Sequence, residues 1–232
     1  MQLFYAPDIS TRPELPEEEA RHATRVLRLS EGDEITVTNG KGFFYRSAIS
    51  AISGKRCLHN ILERIPQEKS WKANLHIAMA PTKNMDRTEW FTEKATEIGF
   101  NELTFLLCRF SERKIIKTER IHKIAVSAMK QSLKASLPEI HEMIDFGKFI
   151  KQEFPEQKFI AHCYEGDKPS LKDVIKPGKD AVILIGPEGD FSEEEVKKAI
   201  DNGFIPVSLG KSRLRTETAA LVATHILNLC NQ

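Results

Sequence analysis

The sequence predicts an α/β protein in two parts, a strand-rich segment over residues 1–70 and an alternation of strands and helices over 71–232. Three observations carry that prediction. Short β-branched and aromatic runs separated by glycine turns fill the first part, whereas apolar strand-like runs alternate with amphipathic helical ones in the second. A polar stretch, Pro66-Gln67-Glu68-Lys69-Ser70, stands between them. At 232 residues the chain can bury a substantial core in one large domain or two smaller ones.

In the first part, strands are expected at Ile35-Thr36-Val37-Thr38, Phe43-Phe44-Tyr45-Arg46 and Ala48-Ile49-Ser50-Ala51-Ile52, divided by Glu31-Gly32-Asp33, Asn39-Gly40-Lys41-Gly42 and Ser53-Gly54-Lys55. Asn39-Gly40 is a hairpin signal, because both residues accept the positive φ that tight turns require. A small β-barrel follows. Ahead of it, Arg21, Arg25 and Arg28 stand at i, i+4 and i+7 of a short helix, which would project them from one face.

In the second part, strands are expected at Leu75–Ala80, Leu103–Leu107, Glu139–Ile144, Lys158–Tyr164, Ala181–Ile185 and Ile205–Leu209. A helix over Arg87–Ile98 would open on an Asp86 and Glu89 capping pair. Another, over Thr118–Lys134, carries Ile121, Ile124, Ala125, Ala128 and Met129 on one face. Ser192 with Glu195 makes a capping box for a helix running to about Asn202, with Gly203 as its stop. The last helix takes Thr216 as its N-cap and buries Ala219, Val222, Ile226 and Leu229.

Function concentrates in two C-terminal loops. Ile185-Gly186-Pro187-Glu188-Gly189-Asp190 and Leu209-Gly210-Lys211-Ser212-Arg213-Leu214-Arg215-Thr216-Glu217-Thr218 each follow a strand and precede a helix, so they open at one sheet edge and form one small-molecule pocket. Two nucleotide motifs are excluded there. A P-loop needs a glycine where Ile205 stands, and a GxGxxG fingerprint beginning at Gly40 and Gly42 needs one where Tyr45 stands.

Together these loops resemble the SPOUT superfamily of methyltransferases, and within it the family that methylates uridine N3 in small-subunit (16S) ribosomal RNA. The signatures are a GPEGG-type loop, matched by Gly186 to Asp190, and an LGxRILRTETA-type loop, matched by Leu209 to Ala219. Further similar segments are Lys94 to Gly99, Gln131-Ser132 with Leu137 to Ile140, Arg21-His22, and Val26 to Arg28. The chain departs from the pattern at Asp190, which replaces a glycine, at Lys211-Ser212-Arg213, and at Lys130. Aspartate tolerates left-handed backbone, so the first loop should keep its geometry.

The resemblance implies a PUA-like N-terminal barrel over 1–70, a deep trefoil knot in the C-terminal domain over 71–232, a homodimer, and S-adenosylmethionine as cofactor. It implies cofactor contacts at Ile185, Gly186, Pro187, Glu188, Gly189, Leu209, Gly210, Leu214, Arg215, Thr216 and Thr218. RNA contacts are expected at Arg12, Arg21, His22, Arg25, Arg28, Arg109 and Arg113. Leu221, Leu227 and Cys230 would extend an apolar surface toward the second subunit.

Charge supports a polyanionic partner only locally. The chain is nearly balanced, with 34 basic and 33 acidic residues, yet Arg109 to Lys134 holds eight basic against two acidic ones. The four cysteines lack a C-x-x-C pair, which argues against a zinc site and a disulfide framework. The seven histidines are dispersed, and no metal is expected. Trp71 and Trp90 read as core residues. The start of the chain resembles no secretory signal and no apolar run is long enough to span a membrane, so a cytoplasmic protein is expected.

The target dictates the mechanism. Uridine N3 must lose its imide proton as it attacks the methyl group, and charge then spreads over O2 and O4. Arg215 is the expected stabiliser, because its guanidinium is a planar, permanently charged fork. Bracing the loop by pairing with Glu217 or Glu188 is its alternative role. Glu217, just inside a helix N-terminus, is expected to orient first and act as base second. Two other readings are a SPOUT ribose 2′-O-methyltransferase and a ribosome-assembly factor without catalysis; the RTETA loop and the intact glycines argue against them.

Overall fold

The computed structural model describes residues 2–154 and 157–232, and their contacts group into two compact units. One holds the residues up to Lys69 together with Val126–Leu137; the other holds Ser70–Ala125 and Pro138–Gln232.

The first unit is built on a four-stranded sheet in the order β1-β2-β3-β4. The strands are β1 (Leu3–Tyr5), β2 (Glu34–Thr38), β3 (Phe43–Ser53) and β4 (Arg56–Pro66). β1 lies parallel to β2, and the remaining pairs are antiparallel. The two strand pieces expected at 43–46 and 48–52 are one strand, interrupted by register shifts at Arg46/Ser47 and Ile49/Ala51. Such bulges bend the strand without ending it, which is why the alternation breaks there. β4 has no counterpart among the expected strands, because past Cys57 and His59 nearly all of its residues are exposed and the apolar alternation is missing. Phe4, Ile9, Leu15, Val37, Ile49 and Cys57 form the core of this unit.

Its short helix differs from expectation in a way that matters for the arginines. α1 spans only Glu17–Arg21, continues as a π-helical turn over His22–Val26, and ends at Arg28 in left-handed backbone with φ 57°. The wider turn and the reversal at Arg28 break the 3.6-residue period, so Arg21, Arg25 and Arg28 do not share an α-helical face. All three are exposed.

The second unit has a six-stranded, all-parallel sheet in the order β10-β8-β9-β5-β6-β7. Its strands are β5 (Leu75–Met79), β6 (Glu102–Leu107), β7 (Glu139–Asp145), β8 (Gln157–Ala161), β9 (Ala181–Ile185) and β10 (Ile205–Val207). The central β5 and β9 are buried along their whole length, as a parallel sheet covered on both faces requires. Leu75, Ile77, Phe91, Phe105, Ile183 and Leu227 fill one face, and Ala78, Leu106, Ile160, Val182, Leu184 and Phe191 the other.

The helices are α2 (Met85–Ile98), α3 (Thr118–Gln131), α4 (Phe146–Phe149), α5 (Leu171–Val174), α6 (Glu193–Asp201) and α7 (Thr216–Leu229). The capping box of α6 is present in full, with Ser192 accepting from Glu195 N–H and Glu195 from Ser192 N–H, and Gly203 takes φ 84° beyond it. Three other expectations are corrected. α2 is capped by Asn84, whose Oδ1 accepts from Asp86 N–H at 3.1 Å, so Asp86 lies inside the helix. α3 stops before Lys134 because Leu133 adopts φ 53°. α7 takes Arg215 as its N-cap, and Thr216 is its first helical residue with no side-chain cap.

α7 also buries a different face. Ala220, Ala223, Thr224 and Leu227 are buried, whereas Ala219, Val222 and Ile226 are half-buried and Leu229 is 57% exposed. The inward stripe carries polar residues whose hydrogen bonds are met inside, Thr224 to Ala220 O and Asn228 to Gly99 O, so the apolar periodicity pointed to a neighbouring stripe. Leu227 therefore belongs to the core of its own chain and is not free to meet a partner. Trp71 is core and donates to Asn101 Oδ1 at 2.8 Å, but Trp90 on α2 is 42% exposed, contrary to its expected burial.

Candidate active site

Strand order decides where the site forms. β8 lies between β9 and β10, so the loops leaving the carboxyl ends of these three strands converge. They enclose a cavity of about 940 Å³. Two walls are the loops singled out in the sequence: Ile185, Gly186, Pro187, Glu188 and Gly189 on one side, Leu209, Gly210, Leu214, Arg215 and Thr216 on another. Thr218, the remaining residue expected there, is half-buried on α7 and does not line the cavity.

Each loop is held by its own chemistry. A Cβ on Gly186 would lie 3.0 Å from the Phe191 amide nitrogen, so a side chain there would crowd the turn and push it open. Gly210 has φ 135°, and its amide donates to Ser208 Oγ at 3.2 Å. Asp190 takes the left-handed conformation the sequence required of it, φ 65°. Its carboxylate accepts from its neighbour Phe191 N–H at 2.8 Å and from Cys163 N–H at 2.7 Å in the loop after β8.

That loop, with Ala161, His162, Cys163, Tyr164 and Lys168, is a third wall that the sequence reading missed. Lys168 Nζ ties it by donating to His162 O at 2.8 Å and to Tyr164 O, while Tyr164 OH donates to Phe191 O at 2.7 Å. The only sequence signal was that the strand reads on to Tyr164; the chain leaves the sheet at Ala161 and lines the cavity.

Arg87 of α2 is the other missed residue. It lines the cavity, and its Nε lies 3.8 Å from Glu217 Oε1. Glu217 is buried, and its Oε2 has no hydrogen-bond partner among the described residues. Arg215 makes no ion pair with Glu217 or Glu188 among the described residues; Glu188 instead accepts from Lys83 N–H at 2.8 Å. The exposed Arg215 guanidinium faces the cavity unengaged.

The expected RNA contacts divide into engaged and free groups. Arg12 pairs with Glu14 at 3.0 Å, and Arg113 donates to Thr82 O at 3.2 Å and Lys83 O at 2.6 Å, bracing the turn after β5. Arg109 is exposed and reaches Glu194 at 3.4 Å, a pair of the weak surface kind. His22 packs against the Phe4 ring at 6.0 Å between centroids. Arg21, Arg25 and Arg28 make no ion pair within 4 Å among the described residues. The histidines are less scattered in space than in sequence, since His76 and His141 both reach Glu102. Burial pulls the His76 pKa down to about 4.

All four cysteines are free thiols, and burial pushes the Cys108 thiol well above its ordinary value. No helix among the described residues is long and apolar enough to cross a membrane.

Known proteins match this arrangement along the whole chain. Residues 69–228 match an RNA methyltransferase domain and residues 15–62 an RNA methyltransferase PUA domain. A crystal structure of a probable rRNA-methyltransferase from Porphyromonas gingivalis is 44% identical, covers 100% of both chains and superposes with a TM-score of 0.94. The ribosomal RNA small subunit methyltransferase E of Neisseria gonorrhoeae, solved bound to S-adenosyl methionine, is 28% identical over 97% of this chain and 95% of that one, with a TM-score of 0.83. The enzyme of that name from Buchnera aphidicola is 30% identical over 90% of this chain and 84% of its own. The matched stretches take in residues of both units, and the chain belongs to the family of RNA methyltransferases that carry a PUA domain.

Proposed function

We propose that this protein methylates N3 of a specific uridine in small-subunit (16S) ribosomal RNA, with S-adenosylmethionine bound in the cavity at the ends of β8, β9 and β10. The observation that carries this reading is that two backbone-rich loops, closed by Gly186 and Gly210, surround a cavity of the size small-molecule sites occupy, about 940 Å³. Its lining mixes apolar residues, Ile185, Val207, Leu209, Leu214 and Ala219, with polar and charged ones, Glu188, Ser208, Arg215 and Thr216. That is the donor set an adenine, a ribose and an amino-acid head group require, so the residues fit the cofactor. When bound, the cofactor supplies a methyl group on a positively charged sulfonium, and that leaving group drives the transfer.

The protein's part is positioning and charge. Arg215, unengaged at the cavity, presents its fork to the uridine carbonyls as N3 passes its imide proton to water or to the unpartnered Oε2 of Glu217. Glu217 holds Arg87, a second cation at the rim, and so acts through a neighbour. Arg21, Arg25, Arg28 and Arg109, exposed and mostly unpaired, are the phosphate contacts of this reading. The expected division into a PUA-like RNA-binding domain over 1–70 and a SPOUT domain over 71–232 belongs to the same proposal, as does the trefoil threading. β10 lies outside β8 while α7 packs back on β5 and β9, a return that such threading would use. The cytoplasm, where ribosomal subunits are made, is its proposed location.

The proposal extends to a homodimer. Trp90 of α2 and Leu229 of α7 are large, exposed and apolar, and each is available to a second copy.

Mass spectrometry of 16S ribosomal RNA from cells with and without the gene tests the reaction. One uridine should lose a base methyl group on deletion. A missing ribose 2′-O-methyl group instead, or an unchanged RNA, would overturn it.

A further inference from the structure

We propose that His76, Glu102 and His141 form a site for one borderline divalent transition-metal ion, of the zinc, cobalt or nickel class, at the amino-terminal edge of the parallel sheet. The cavity described above lies at the opposite, carboxyl-terminal edge, so this site is separate from it.

Register brings the three residues together. His76 is the partner of Glu102 between β5 and β6, and Thr104 is the partner of His141 between β6 and β7. Glu102 and Thr104 are two residues apart on one strand, so all four side chains emerge on one face of the sheet. His141 Nε2 lies 3.0 Å from Glu102 Oε2, His76 Nδ1 lies 3.7 Å from that oxygen, and one ligand atom from each residue falls within 4.8 Å of the others.

The outward atoms are what distinguish this cluster from a chance meeting of polar groups. His76 Nε2 is bonded to Thr104 Oγ1 at 2.8 Å, Glu102 Oε1 accepts from Asn74 Nδ2 at 2.5 Å, and His141 Nδ1 faces Glu139 Oε1 at 3.7 Å. Metal-binding sites are built this way, with the second polar atom of each ligand held by an outer group that fixes ring tautomer and carboxylate orientation. When Nε2–H of His76 donates to Thr104, Nδ1 presents a lone pair toward a carboxylate oxygen. Two acceptors facing each other repel, and a cation between them relieves it.

The donor set selects the metal class. Two imidazoles and one carboxylate suit zinc, cobalt or nickel, whereas magnesium and calcium take oxygen ligands. The rings of Phe149 and Phe154 stand 5.6 and 6.3 Å from that of His76 and wall its side of the site. The side chains of His141 and Glu102 keep 33% and 27% of their exposure, which leaves the solvent side for a water as fourth ligand. An ion there would tie β5, β6 and β7 together, a structural role.

The test uses the full chain, stripped with chelator and desalted, then titrated with cobalt(II) chloride by visible absorption and with zinc chloride by calorimetry. One equivalent should bind with a Kd below about 10 μM and raise the melting temperature. His141→Ala and Glu102→Gln should each weaken binding at least about tenfold. These positions are partly exposed, so both variants should fold, as circular dichroism would verify, whereas the buried His76 is a poorer choice. Cys163→Ser and Cys230→Ser should leave binding unchanged. Absence of saturable binding up to about 100 μM metal, or binding that survives His141→Ala but is lost with Cys163→Ser, would overturn the proposal.

Discussion

At the residue scale, Arg215 suits the charge-stabilising role proposed for it because it makes no ion pair among the described residues. Had it paired with Glu217, its charge would be partly neutralised before a substrate arrived; the carboxylate instead lies 3.8 Å from Arg87. Arg215→Lys keeps the charge and loses the planar fork. It should lower the single-turnover methylation rate by roughly ten- to a thousandfold with cofactor affinity nearly intact, measured side by side by rapid quench and calorimetry. A matching loss of affinity would make Arg215 a loop brace. His59 is a residue of the opposite kind, fully buried on β4, with neither ring nitrogen bonded among the described residues. Burial holds its pKa below the ordinary histidine value, so the unfolded chain binds the proton more readily. The native state therefore loses stability as pH falls through about 6.5. Replacing it by His59→Leu should raise stability by about 1 kcal/mol at pH 7, and by more at pH 5.5, in urea unfolding followed at both pH values.

At the scale of elements, legibility followed from how one-sided each element is. The central strands β5 and β9 were readable because their burial makes them continuous apolar runs, and α6 because Ser192 and Glu195 satisfy each other's backbone amides. α7 was not, since its inward face mixes Ala220, Ala223 and Leu227 with the buried polar Thr224 and Asn228 and so lacks a clean apolar stripe. β4 was missed for the reverse reason, having almost no buried face. The two faces of α7 should separate in experiment. Leu227→Ala opens a cavity in the core and should cost about 2–5 kcal/mol. Leu229→Glu, on the exposed face, should leave the fold intact and shift the protein toward monomer in sedimentation equilibrium; an unshifted mass would remove this face from the proposed dimer.

At the scale of the whole molecule, the site's two signature loops could be read from local sequence, but its third wall could not. That wall depends on β8 lying between β9 and β10, a matter of strand order that no local pattern records. The arginines at the end of α1 show the same limit, since a π-helical turn and the left-handed Arg28 replaced the regular spacing on which a shared face was inferred. Their proposed role survives as a measurable one. Replacing Arg21, Arg25 and Arg28 together with alanine should weaken RNA binding and reduce the slope of log affinity against log salt by up to about two units, with cofactor affinity unchanged. An unaltered slope would assign them to solvation. The placement of the cavity walls has a further consequence for how the protein folds. They come from 161–168, 185–190 and 207–219, and Ile185 and Val207 in these stretches and Ala220 just beyond them are also core, so the pocket and the core of its unit form in one step. A ligand that fills the pocket therefore binds only the assembled unit, and its occupancy becomes a readout of folding.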